Sequence, residues 1–85
     1  MSRKIKILVI EPEKEPYVKL INNTLKSLQK EVDGFIEIVS IEDGVDLIIN
    51  EEGKLCDMPF NRYITNDMIV GTFIVAGEKM ERLFH

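Results

Sequence analysis

Thirteen residues, Asn50-Glu51-Glu52-Gly53-Lys54-Leu55-Cys56-Asp57-Met58-Pro59-Phe60-Asn61-Arg62, gather most of the chemistry this chain could perform. Adjacent carboxylates could move a proton, and a lone thiol could attack an electrophile. A guanidinium beside an amide could clasp an anion. Arg62 is the only arginine between Arg3 and Arg82. Its planar donor fork fits phosphate or carboxylate, and Asn61 can both donate and accept beside it. Pro59 stiffens the approach. The competing role for Arg62 is structural, bonding loop carbonyls or Glu51 and Glu52.

Each catalytic reading lacks a partner. Glu51 and Glu52 would face opposite ways in a strand. Cys56 is the only cysteine, no evident base lies near it, and a half-buried small hydrophobe is its simpler role. The one histidine is the last residue, so no conventional zinc set can form with that cysteine. Glu42-Asp43-Gly44-Val45-Asp46 holds hard oxygen ligands without the spacing of a calcium loop. The glycines at 34, 44, 53, 71 and 77 open no phosphate-binding turn. No cofactor or metal is expected, and an enzyme using Glu11 or Glu51 with Lys54 ranks last among the readings.

The elements that must position these residues read as strand, helix, strand, strand, loop, strand. Ile5–Ile10 is a strand, apolar on both faces and ended by Glu11-Pro12. Over Pro16–Val32, the residues Tyr17, Leu20, Ile21, Thr24, Leu25, Leu28 and Val32 recur at helical spacing, and Gly34 is the stop. On that helix, Lys19, Asn23, Lys26 and Lys30 form a basic opposite face, either solvated or a secondary patch for an acidic partner. Phe35–Ile41, Val45–Ile49 and Met68–Ala76 are further strands, with Gly71 at a bulge or a close backbone approach. If the first two strands are parallel neighbours, their crossover is right-handed.

The expected fold is therefore α+β. One main amphipathic helix packs on a mixed or antiparallel sheet of three to five strands, with a short C-terminal helix as an option. The 85 residues make one domain, residues 1–85, with 78–85 a peripheral tail. Eleven basic residues against fifteen acidic ones give a net charge of −4, which disfavours direct nucleic-acid binding. The apolar run Ile7–Ile10 is too short for a signal core or a membrane span, so a cytoplasmic protein is expected.

Three stretches, VIEPEKEPYVKLINNTLKSLQKEVDGFIE (Val9–Glu37), IINEEGKLCDMPFNR (Ile48–Arg62) and IVGTFIVAG (Ile69–Gly77), carry a family likeness. The chain resembles an uncharacterised family of small domains of unknown function encoded by phages, plasmids and integrative elements, mainly in Firmicutes. That resemblance supplies no activity. It implies a mobile-element accessory protein whose family ends near Gly77. It also implies a recurring polar set at Glu11, Pro12, Asn50, Glu51, Gly53, Lys54, Pro59, Asn61, Arg62, Gly71 and Thr72.

Two functions follow. The first is a non-enzymatic binding module that contacts a host or element protein, in an anti-defence role by its genetic company, or that self-associates. The second is a binder of a small anionic ligand or nucleotide, at a dimer interface, with Arg62, Asn61 and Lys54 clasping the anion; Asn50, Glu51, Lys54, Asn61, Arg62 and Thr72 are the candidate residues for ligand or partner. The second requires Arg62, Lys54 and Thr72 to surround one concave pocket.

Overall fold

The computed structural model describes residues 3–77. They form seven strands and one short helix: β1 (Lys4–Ile10), β2 (Tyr17–Asn22), α1 (Leu25–Val32), β3 (Ile36–Glu42), β4 (Val45–Asn50), β5 (Phe60–Ile64), β6 (Asp67–Val70) and β7 (Phe73–Ala76). The large sheet has the order β2-β1-β7-β4-β3, and β5-β6 is a separate hairpin. All pairings are antiparallel. The strands at Ile5–Ile10 and Ile36–Glu42 are thus not neighbours, since β7 and β4 lie between them.

This overturns the expected architecture of one main helix packed on a sheet. The stretch Tyr17–Asn22 is a strand paired along β1, from Lys4↔Asn22 to Val9↔Tyr17. Its apolar residues Tyr17, Val18, Leu20 and Ile21 follow a helical spacing and not a clean alternation, but spacing alone does not decide. Two physical terms do. Tyr17, Val18 and Ile21 favour extended backbone, and β1 offers an open edge to pair with. Asn22-Asn23-Thr24 then interrupts any long helix, because these side chains compete for backbone hydrogen bonds. Thr24 is the N-cap of α1, its hydroxyl accepting from the Ser27 amide at 3.2 Å. Asp33, at φ 61°, is the left-handed residue that ends the helix, so Gly34 is not needed for that role.

The sheet is covered on both sides. On one face, Val32 and Leu28 of α1 pack on Ile7, Val9, Ile21, Ile48 and Ile74. On the other, Ile64 and Ile69 of the hairpin pack on Leu8, Ile10, Leu47, Phe73 and Val75. β7 is central and contributes to both clusters, which explains its unbroken apolar run Phe73-Ile74-Val75. The expected continuous strand Met68–Ala76 is cut at Gly71, where φ is 72°. Its two halves belong to different layers. A Cβ on Gly71 would lie 2.7 Å from Met58 Sδ, so the conformation favours glycine and any side chain there would displace Met58.

Two stability predictions follow from these placements. Val32 is 1% exposed and Leu25 is 59% exposed, although both lie on the sequence-derived apolar stripe. Val32→Ala should cost about 2 kcal/mol in urea unfolding, while Leu25→Ala should cost less than about 0.5 kcal/mol. Thr65 and Asn66 both take positive φ, 46° and 69°, in the two-residue turn between β5 and β6. A β-branched residue is strained there, so Thr65→Gly should raise stability by about 1 kcal/mol in the same assay.

Candidate functional site

The Asn61-Arg62 pair sits at a bulge in β5. The register passes from Phe60↔Val70 to Arg62↔Ile69, which leaves Asn61 as the extra residue. Its side chain turns inward and is buried. Its amide nitrogen donates to the Ile10 carbonyl at 2.9 Å and to the Gly71 carbonyl at 2.7 Å. Its amide oxygen accepts from Arg62 Nε at 3.0 Å. The same guanidinium donates to the Lys14 carbonyl at 3.3 Å. Both donor groups of the pair therefore bond to the protein's own backbone. Arg62 ties the β1–β2 loop to the hairpin, and Asn61 ties the hairpin to the sheet.

Asn50 is occupied in the same way at the end of β4. It is buried, and its Nδ2 donates to the carbonyls of Val32 and Asp33 at 3.0 and 3.1 Å. These are groups that a helix C-terminus leaves without partners. Its Oδ1 accepts from the Glu52 amide at 2.8 Å. A Cβ at Gly34 would stand 2.6 Å from this Nδ2, so the absent side chain makes room for Asn50.

The segment after Asn50 is a series of turns. Cys56 N–H donates to Glu52 O at 2.9 Å, and Met58 N–H to Gly53 O at 3.1 Å. Gly53 is buried, with Val70 Cγ2 3.0 Å from where its Cβ would be; Asp57, not Gly53, takes positive φ. Cys56 is exposed, not half-buried, because these turns point it outward. Glu51 is exposed, and the Lys54 ammonium lies 3.8 Å from Asp67 with both side chains exposed.

The six candidate binding residues do not converge. Asn50, Glu51 and Lys54 line a concavity of about 170 Å³ beside β6. Asn61 and Arg62 line another with Glu13, Lys14 and Glu15, where two carboxylates offset two cations. Thr72, half-buried between β6 and β7, faces a third with Glu31 and Met58. Arg62, Lys54 and Thr72 thus surround no common pocket.

The basic helix face is divided as well. Lys26 and Lys30 lie on α1, but Asn23 is in the preceding bend and Lys19 is in β2. Lys19 Nζ donates to Glu31 Oε2 at 2.8 Å, joining the edge strand to the helix. That hydrogen bond holds the ammonium above the usual lysine range. A hydrogen bond with Glu11 likewise pushes the Tyr17 phenol up.

Apolar residues at the surface supply what the polar ones do not. Phe60 is 50% exposed, Tyr63 66% and Leu55 86%, with Met68 beside them. The Phe60 and Tyr63 rings are 5.3 Å apart and tilted at 58°. Tyr63 and Met68 are cross-strand partners, so both side chains share the hairpin's outer face. Alternation along Tyr63-Ile64 and Met68-Ile69 could have revealed this face once the hairpin was recognised. Among the described residues, no group of three or more His, Cys, Asp or Glu could hold a metal ion. No described helix is long and apolar enough to cross a membrane.

Replacing Asn61 tests the latch. Asn61→Ala should cost about 2–3 kcal/mol, since two buried carbonyls lose their donor. Arg62→Ala should cost about 1 kcal/mol, because its bonds lie nearer solvent. In Asn61→Asp, one carboxylate oxygen keeps the Arg62 donor, but the other is buried against two carbonyls that lack a donor; that burial and repulsion outweigh the part-buried cation and raise the introduced group's folded pKa above its unfolded value. The folded state then holds the extra proton, so the deficit should shrink as pH falls from 7 toward 4. Urea midpoints at each pH measure all three.

No curated protein and no solved structure matches the chain. A family model described as a domain of unknown function, DUF3846, matches residues 5–84. The match runs past Gly77, so residues 78–84, which lie outside the described residues, fall within the family's span. The chain therefore belongs to the DUF3846 family of domains of unknown function.

Proposed function

We propose that this protein is a non-enzymatic binding module that contacts a protein partner through the outer face of the β5-β6 hairpin and the adjoining 51–59 turns. One observation carries the reading. The polar residues best suited to a site, Asn50, Asn61 and Arg62, bond to the protein's own backbone, while Leu55, Phe60, Tyr63 and Met68 stand exposed. Aromatic and methionine side chains on a polar-rimmed surface are what protein interfaces use at their centres. The net charge of −4, with Glu51, Glu52, Asp57 and Asp67 around this face, favours a basic partner surface.

The setting proposed is a phage, plasmid or integrative element in a Firmicutes host, with contact to a host or element protein in the cytoplasm and an anti-defence role. The anionic-ligand alternative is weaker, because its three anchor residues line separate concavities and acids accompany the cations.

Native mass spectrometry of the protein isolated from element-bearing cells should show a bound protein. After reconstitution with that partner in purified form, Tyr63→Ser should raise Kd about tenfold or more. Its urea midpoint should stay unchanged. A bare monomer without a reconstitutable partner refutes the reading. A retained small anion that Arg62→Ala releases would replace it with the ligand alternative.

A further inference from the structure

The hairpin covers only part of the sheet face on which it sits. Beyond β6, the same face continues over Val39 of β3 and Ile49 of β4, which stay half-buried. The 170 Å³ concavity lies there. It is lined by all four residues of β6 and by none of β5, so it runs along the β6 edge that has no strand partner among the described residues. An unpaired edge presents a row of N–H and C=O groups open to another chain.

We propose that this groove takes an extended, basic and apolar segment of the partner protein as a strand added to β6. The proposal rests on the contact reading above and specifies the partner's chemistry and mode of docking. An added strand would complete the second layer over the uncovered floor of Val39 and Ile49. Alternate side chains would point down into the groove, and the others would point away. The volume favours side chains over a free ligand, since pockets for drug-sized molecules begin at about 300 Å³.

Charge selects the segment. Glu37, Glu51 and Asp67 stand around the groove, with Lys54 as the one cation among its lining residues. The Lys54–Asp67 pair is long and exposed, so it screens this field weakly and yields at little cost. The open edge of β3 is a poorer template, because its register shifts between Ser40 and Glu42.

The probes are short synthetic peptides of alternating lysine and valine, labelled for fluorescence anisotropy. In an extended strand, the main-chain donors of alternate residues point to opposite edges. N-methylation of every valine and N-methylation of every lysine therefore block opposite edges of the peptide. The unmodified peptide should bind the wild-type protein, and one of the two methylated series should lose affinity about tenfold or more while the other retains it. Amide hydrogen exchange should slow at Asp67–Val70. The double variant Glu37→Lys, Asp67→Lys should lose the lysine–valine peptide and gain a glutamate–valine one.

Equal loss in both methylated series, or none, overturns strand addition. So does protection at β3 instead of β6. A dimer that the peptide dissociates, seen by sedimentation, would assign the groove to a second copy and overturn the proposal. Failure of every peptide, while the purified partner still binds in a Tyr63-dependent way, ends the groove proposal and leaves the contact reading standing. Failure of both ends both.

Discussion

Two hydrogen bonds from one buried amide join the layers of this protein. Asn61 Nδ2 reaches the Ile10 carbonyl at the end of β1 and the Gly71 carbonyl at the joint between β6 and β7. Ile10 ends where Glu11-Pro12 stops the ladder, and Gly71 ends the hairpin's second strand. Both carbonyls therefore sit where regular pairing has run out, and burial without a donor would cost each its desolvation. One side chain with two donor hydrogens answers both needs. The bulge in β5 aims that side chain, and the positive φ at Gly71 turns β6 into β7. Hairpin, joint and sheet are thus one mutually dependent arrangement.

A chain of 85 residues has little with which to cover two sheet faces. Here one face receives an eight-residue helix and the other a hairpin whose second strand has only four residues. Such small covers cannot reach both edges. Ile38 is left exposed on β3, and Val18 and Leu20 on β2. On the hairpin side, the uncovered floor becomes a groove because β6 forms a wall beside it. The concavity is a consequence of incomplete coverage, and its chemistry comes from whichever residues line that wall and floor.

The strands at Ile5–Ile10, Phe35–Ile41 and Val45–Ile49 were legible because their residues are dense in β-branched types and bounded by turn residues. The fold class was not. Tyr17–Asn22 carries its apolar residues at helical spacing, but its state depends on β1, a partner that local spacing does not represent. The hairpin was hidden for a related reason. Met68–Ala76 reads as one strand because a single glycine interrupts it, and sequence cannot tell a bulge there from a change of layer. At the site, only the adjacency of Asn61 and Arg62 was legible, not the bond between their side chains. That the amide's acceptors are Ile10 and Gly71, 51 and 10 residues away, was not legible either.

This changes what the polar residues say about function. Asn50, Gly53, Asn61 and Gly71 belong to the set that the family resemblance singles out, and each is explained by a buried hydrogen bond or a close backbone approach. Glu11 adds an exposed-side ion pair to Lys14 at 3.6 Å. Residues of this kind would recur in any chain that must build the same joint, whatever it binds. They mark the scaffold and do not identify an active centre. Residues that distinguish one partner from another need to face outward, where exchange costs little stability. On the proposed contact reading, those are the aromatic and methionine side chains of the hairpin and the carboxylates beside the β6 edge. The mixed chemistry of residues 50–62 therefore divides by burial: the two asparagines hold the fold, and most of the turn between them is exposed.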